Sequence, residues 1–187
     1  MNSIVQQFDN ALAALKRAGI DGLIAGGAVR DHILNKPVRD IDVFVEYRAD
    51  IEQRLEQAYG IGCVNRMMAA EYAGNEVKHV FEVMSDSLTD VPVQVIVLNE
   101  GLTPGDRAAH HDFGICQCWY LGGGTFDWTG AFLSDKELGR FTLTHCEGQG
   151  EFDRSMRRWE KFAGRFPEFN LRVPAEFADY HRGADFA

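Results

Sequence analysis

Ile4, Phe8, Leu12 and Leu15 recur at the three- and four-residue spacing that lines one stripe of a helix. Ser3 can cap the first turn and Gly19 and Gly22 follow the last one, so the pattern predicts a helix running to about Arg17. The short apolar run Leu23-Ile24-Ala25 reads as a strand, Gly26-Gly27 as a turn, and 28–35 as a helix. Pro37 breaks that helix, and a second strand is expected over 41–46. Ile51, Leu55 and Tyr59 share one face of an amphipathic helix from Ala49 to Tyr59, closed by Gly60 and Gly62. Val77 to Met84 and Val91 to Leu98 are β-rich runs with a hairpin loop between them at Ser85–Asp90.

Further along, Pro104-Gly105 opens a short helix to His111, and Ile115 to Tyr120 is expected as a strand. It ends at Gly122-Gly123-Gly124, which reads either as a loose turn or as a loop able to close over a substrate. Phe132 to Gly139 reads as a short helix, Arg140 to Thr144 as a strand, and Glu151 to about Phe166 as a helix stopped by Pro167. The stretch 175–187 is a short helix or a frayed end. These elements make an α+β architecture: a small mixed sheet backed by helices, then a short helical segment.

Two features carry chemistry. Glycines at 26 and 27 leave the backbone bare where a helix begins, and the free amides there suit phosphate. Asp40 and Asp42 stand two apart at the head of a strand, so their carboxylates face the same way. Two such charges about 4 Å apart repel by about 4 kcal/mol at an effective dielectric near 20. A divalent cation removes that cost, and magnesium is commonly held by a few carboxylates together with substrate phosphates.

Gly26-Gly27-Ala28-Val29-Arg30-Asp31, then Ile33-Leu34, then Asp40-Ile41-Asp42, resembles the first motif of the tRNA nucleotidyltransferases (CCA-adding enzymes) and bacterial poly(A) polymerases, members of the polymerase-beta-like nucleotidyltransferase superfamily. Weaker echoes follow in order. His110-His111-Asp112-Phe113-Gly114-Ile115-Cys116 resembles the family's Arg-Arg-Asp-Phe-Thr-x-Asn segment, and Glu151-Phe152-Asp153-Arg154 with Met156, Arg157 and Phe162 resembles its base-reading helix.

The resemblance implies a nucleotidyltransferase head over 1–146 and a helical neck-like extension over 147–187. It implies that Asp40 and Asp42 are catalytic and hold magnesium, with manganese as the substitute. It places Gly26, Gly27, Arg30 and Asp31 at the triphosphate, Asp112 near the ribose, and Glu151, Arg154 and Arg157 toward the base. Departures are also plain. Gln94 occupies a strand position that is often acidic in the family, and His110, His111, Gly114 and Cys116 replace its Arg, Arg, Thr and Asn.

Composition narrows this reading. With 187 residues, 45% of them hydrophobic, the chain can bury one compact core with a small extension. A net charge of −9 makes it a poor general binder of nucleic acid, the basic run Arg154, Arg157, Arg158, Lys161 and Arg165 being the exception. No run is apolar enough to span a bilayer and no leader pattern is visible, so a cytoplasmic site in a cell or virus-infected cell, without membrane partners, is expected. Cys63, Cys116, Cys118 and Cys146 read as free thiols; a zinc site from Cys116, Cys118, His145 and Cys146 with His110 or His111 lacks the usual Cys-x-x-Cys spacing. The expected function is metal-dependent transfer of a nucleoside monophosphate from an NTP to the hydroxyl of an RNA end, a protein or a small molecule. The alternatives are a nucleotide-binding or decoy protein without turnover, for which Gln94 and the two histidines speak, and an interaction protein on an inherited fold.

Overall fold

The computed structural model describes residues 2–67, 76–83 and 89–182. Packing divides the chain into two units: Met1–Ala108 with Cys118–Asp127, and Ala109–Gln117 with Trp128–Ala187. The second unit thus takes in 109–117 and 128–146 besides the C-terminal stretch that the sequence sets apart at 147.

In the first unit, helix α1 (Ile4–Arg17) starts where the Ser3 side chain accepts the Gln6 N–H at 3.1 Å. Strand β1 (Gly22–Ala25), helix α2 (Gly27–Ile33), strand β2 (Ile41–Val45) and helix α3 (Ile51–Tyr59) follow in the expected order. Strands β3 (Val64–Met67), β4 (Val77–Val83) and β5 (Val93–Leu98), helix α4 (Pro104–Ala109), and strands β6 (Cys118–Gly122) and β7 (Thr125–Trp128) complete it. The sheet has seven strands in the order β3-β4-β5-β2-β1-β6-β7. β2 and β5 pair in parallel, whereas β1 pairs antiparallel with β2 and β6, and β4 pairs antiparallel with β3 and β5. It is the mixed α+β sheet the sequence suggested.

Alternation along the strands makes two buried faces. Leu23, Ala25, Phe44, Ile96 and Leu98 pack with Ala108 of α4 in one cluster. The intervening positions Ile24, Val43, Val45, Val95 and Val97 are fully buried as well. Gly22 is required by contact, since a Cβ there would lie 2.9 Å from the Phe44 carbonyl oxygen.

Several expectations are corrected. Residues 114–116 form a turn of 3-10 helix, and the strand begins only at Cys118. The reason is the Asp135 carboxylate, which takes the Ile115 N–H at 2.9 Å and draws this segment off the sheet. The triple glycine is a tied turn, not a loose one: it joins β6 to β7, all three φ angles are positive, and Gly123 N–H donates to Asp9 at 2.9 Å while Gly124 N–H donates to the Tyr120 hydroxyl at 2.8 Å. Strands β3 and β7, unforeseen, are short, and their side chains are mostly exposed or half-buried, so neither alternates clearly. Most of the expected 85–90 loop lies outside the described residues.

The second unit holds helix α5 (Gly130–Leu138), strand β8 (Arg140–Thr142), helix α6 (Gln149–Ala163), strand β9 (Asn170–Arg172) and helix α7 (Ala178–Arg182). β8 pairs in parallel with β9, which the sequence did not suggest. The core is aromatic: Phe141 lies within 5.1–5.7 Å, ring centroid to centroid, of Phe113, Trp159, Phe162, Phe166 and Phe169. Asp135, 1% exposed, ties the unit together by also accepting the Thr142 N–H at 2.8 Å, the Thr142 hydroxyl at 2.6 Å and Arg140 Nε at 3.2 Å.

Two outcomes are expected. Asp135→Asn turns one acceptor oxygen into a donor facing donors, and urea unfolding should show a loss of about 2–4 kcal/mol. The His32 ring stacks on Phe126 and meets the edge of Phe8, and burial holds its pKa below the ordinary 6.5. The folded state then binds fewer protons than the unfolded one, so its contribution is complete above 6.5 and is lost as pH falls below that value. His32→Phe should flatten that part of a stability-against-pH curve.

Candidate functional site

The geometry starts at the end of β1. Gly26 has φ 72° and ψ −123°, a backbone conformation that side chains with a Cβ rarely adopt. Its N–H donates to the Cys118 carbonyl at 3.0 Å, and its own carbonyl accepts the Arg30 N–H at 2.9 Å, opening α2. Beside Gly27 the space is open: a Cβ there would find only Arg30 Nη2, at 3.9 Å.

The β1–β2 register places the aspartates. Gly22 pairs with Val45, Leu23 with Phe44 and Ile24 with Val43, so the end of β1 that runs into Gly26 lies beside the start of β2. Asp42, half-buried, stands there, and Asp40, exposed, directly precedes the strand. On the other side Asp42 pairs with Gln94 of β5. Gly26, Gly27, Asp40, Asp42 and Gln94 are therefore gathered at one end of the sheet.

The donor set suits magnesium. Among the described residues no three His, Cys, Asp or Glu side chains gather as a metal site. An ion held by Asp40 and Asp42 would complete its shell with water and substrate phosphates, as magnesium commonly does. The zinc grouping is likewise not assembled among the described residues.

Arg30 and Asp31 lie deeper than expected for residues that touch a ligand. They are 1% and 3% exposed, and Arg30 Nε and Nη2 donate to Asp31 Oδ1 at 2.9 and 2.7 Å. The pair braces the first turn of α2, with the guanidinium beside Gly27.

The remaining expected residues belong to the second unit. Asp112 accepts Arg158 Nη1 at 2.7 Å, the Ser155 hydroxyl at 2.9 Å and the Phe113 N–H at 3.0 Å, which anchors α6. Glu151 reaches back to the Glu147 N–H at 2.8 Å and meets Arg154 at 3.4 Å. Arg157 is exposed. His110 is exposed while His111 is buried, so the two histidines that replace arginines differ in access. Gly114 has a packing reason: a Cβ would lie 2.8 Å from Asp135 Oδ2. Neither Asp135 nor Gln117, which joins the His111 carbonyl to Thr144 and Thr129, was marked in the sequence. A lone Asp on a short helix carries no sequence signal until its partners, up to twenty residues away, are known.

The model of one family, described as Gabija anti-defense 2 family protein (Gad2), matches residues 2–135. A CCA-adding enzyme of Pediococcus pentosaceus is 38% identical over 61 residues, 30% of this chain and 15% of that enzyme. The solved CCA-adding enzyme of Bacillus stearothermophilus in complex with CTP aligns with a TM-score of 0.65 at 16% identity, over 92% of this chain and 42% of that one. A solved tRNA-processing enzyme in an apo form aligns with a TM-score of 0.64 at 21% identity, over 98% and 47% respectively. The likeness shows the nucleotidyltransferase fold. The chain spans less than half the length of these solved structures and a smaller part still of the curated enzyme.

Arg30→Met should destabilise the protein by about 3–5 kcal/mol, because it leaves a buried carboxylate without its guanidinium. Denaturant unfolding measures this. A variant with parental stability would show that the ion pair does not support the turn.

Proposed function

The chain belongs to the Gabija anti-defense 2 family, and from that premise we propose that it is a nucleotidyltransferase whose product counters the defence named in the family's description. The reaction moves a nucleoside monophosphate from an NTP to an acceptor hydroxyl. One observation carries the reading: a glycine turn and the Asp40–Asp42 pair meet at one end of a sheet that shares its fold with CCA-adding enzymes.

The residues divide the work by position. The backbone at Gly26 and Gly27 lets the triphosphate approach closely, while the buried Arg30–Asp31 pair keeps that turn from yielding. Asp40 and Asp42 are the residues that would hold magnesium, or manganese in its place. When bound, the metal supplies Lewis-acid stabilisation of charge on the transferring phosphoryl group and on the leaving pyrophosphate. The acceptor hydroxyl oxygen attacks the α-phosphorus in line and gives up its proton to water, the bond from the α-phosphorus to the bridging α,β-oxygen breaks, and pyrophosphate leaves with that oxygen on the opposite side. The family resemblance gives Asp112 the ribose and Glu151, Arg154 and Arg157 the base.

An RNA end is the first acceptor to test, given the tRNA-processing relatives, with protein and small-molecule hydroxyls next. The cytoplasm, where NTPs are abundant, suits this chemistry, and no helix among the described residues is long and apolar enough to cross a membrane. A second reading, nucleotide capture without turnover, draws on Gln94 beside Asp42, since an amide cannot serve as a base.

Incubation with each labelled NTP, magnesium and extract of a host cell should move label to RNA or protein, and Asp42→Asn should cut transfer by about 100-fold or more. Transfer that survives this substitution would remove Asp42 from the mechanism. Metal-dependent NTP binding without transfer would favour the second reading.

A further inference from the structure

The face of the sheet that carries Asp42 changes character from one cross-strand row to the next. Phe44 of β2 pairs with Ile96 of β5, which pairs with Val80 of β4, an apolar row over the Phe44 cluster. One step along each strand on the same face, Asp42 pairs with Gln94, Gln94 with Glu82, and Glu82 with Asn65 of β3. A whole row of four polar residues on a half-buried face next to an apolar row is not what packing alone selects. Glu82 is half-buried, and among the described residues no hydrogen-bond or ion-pair partner is found for its carboxylate.

Direction along this row has a chemical meaning. The glycine turn follows β1, on one side of β2, and β5 and β4 lie on the other side. In-line transfer requires the attacking and leaving oxygens on opposite sides of the phosphorus. With the triphosphate tail at Gly26–Gly27, the acceptor enters over β5 and β4. The first side chain on that path, Gln94, is neutral; the next, Glu82, is acidic.

We propose that Glu82 supplies the acidic charge of the acceptor side of the site, acting across Gln94 to draw a divalent cation there and to orient the neutral amide between two carboxylates. The proposal rests on the nucleotidyltransferase reading and deepens it. Two strand spacings put the Cα of Glu82 about 10 Å from that of Asp42. It therefore acts as a positioning residue, through the Gln94 amide or ordered water, and does not share an ion directly with Asp42.

The test is a Mn2+ titration followed by electron paramagnetic resonance, with the α,β-methylene analogues of the four NTPs and with Mn2+ alone, so no acceptor is needed. Glu82→Gln should weaken Mn2+ binding about three- to tenfold in the presence of analogue, an effect expected of a charge acting at this range through a partly wet site. Glu82→Asp, which keeps the charge, should remain within about twofold of the parent. The exchange variant Glu82→Gln/Gln94→Glu, which brings the charge nearer to Asp42, should bind Mn2+ at least as tightly as the parent, which a merely structural loss would not do. Parental binding by Glu82→Gln, or failure of the exchange to restore binding when both variants melt like the parent, overturns the proposal. If Glu82→Gln does not fold, Gln94→Glu alone decides: tighter Mn2+ binding supports an acceptor-side cation sensitive to charge in this row, and unchanged binding overturns it. Asp42→Asn separates the two levels of argument. Loss of Mn2+ binding in Asp42→Asn with none in Glu82→Gln removes only Glu82's role. Unchanged binding in Asp42→Asn removes the metal reading of the site itself.

Discussion

The arrangement depends on a single register: β1 antiparallel to β2, Ile24 opposite Val43. That pairing puts the exit of β1, where Gly26 takes a conformation open to glycine, beside the entry of β2, where Asp40 and Asp42 stand. Strand side chains alternate with a period of two. A slip by one residue would turn Asp42 into the fully buried face now lined by Ile41 and Val43 and leave its carboxylate in the core. The apolar residues Leu23, Phe44 and Ile96 thus do more than fill a core, because their burial is what fixes where the acidic pair emerges. Stability and site geometry are here the same constraint.

The second unit uses another device, a buried or half-buried carboxylate with several donors. Asp135 collects N–H groups from two segments, and Asp112 collects an arginine, a hydroxyl and an amide. Each gathers chain segments that no regular ladder joins, and each can do so only because its oxygens are well supplied with donors. The departure at Gly114 follows from this. A larger residue there would occupy the place of the Asp135 carboxylate, so glycine at this position is a packing requirement of the unit.

Legibility in the sequence varied with the range of the cause. Helix α1, its Ser3 cap, strands β1, β2, β4 and β5, and the glycine turn arise from local patterns, and these could be read directly. The short strands β3, β7 and β9 could not, because edge pairing of three or four half-exposed residues leaves little periodicity. Residues 114–116 read as strand on composition, but a contact from Asp135 sets them as a 3-10 turn. For the site, Asp40–Asp42 and Gly26–Gly27 were visible as a motif, whereas the burial of Arg30 and the position of Glu82 depend on which strands become neighbours.

Displacing an acid by one strand also has an electrostatic consequence. A third carboxylate at position 94 would stand one strand spacing, about 5 Å, from Asp42, and one at position 82 stands about 10 Å away. At an effective dielectric near 20 the repulsion between two unit charges falls from about 3 to under about 2 kcal/mol over that change. The sheet is then under less electrostatic repulsion with Glu82 than it would be with an acid at 94, and the neutral Gln94 lies between the two carboxylates in register. Attraction to a divalent ion at Asp42 would fall with distance by the same law. On the proposed reading, such a site would trade some affinity for a cation against weaker repulsion among the carboxylates of the sheet.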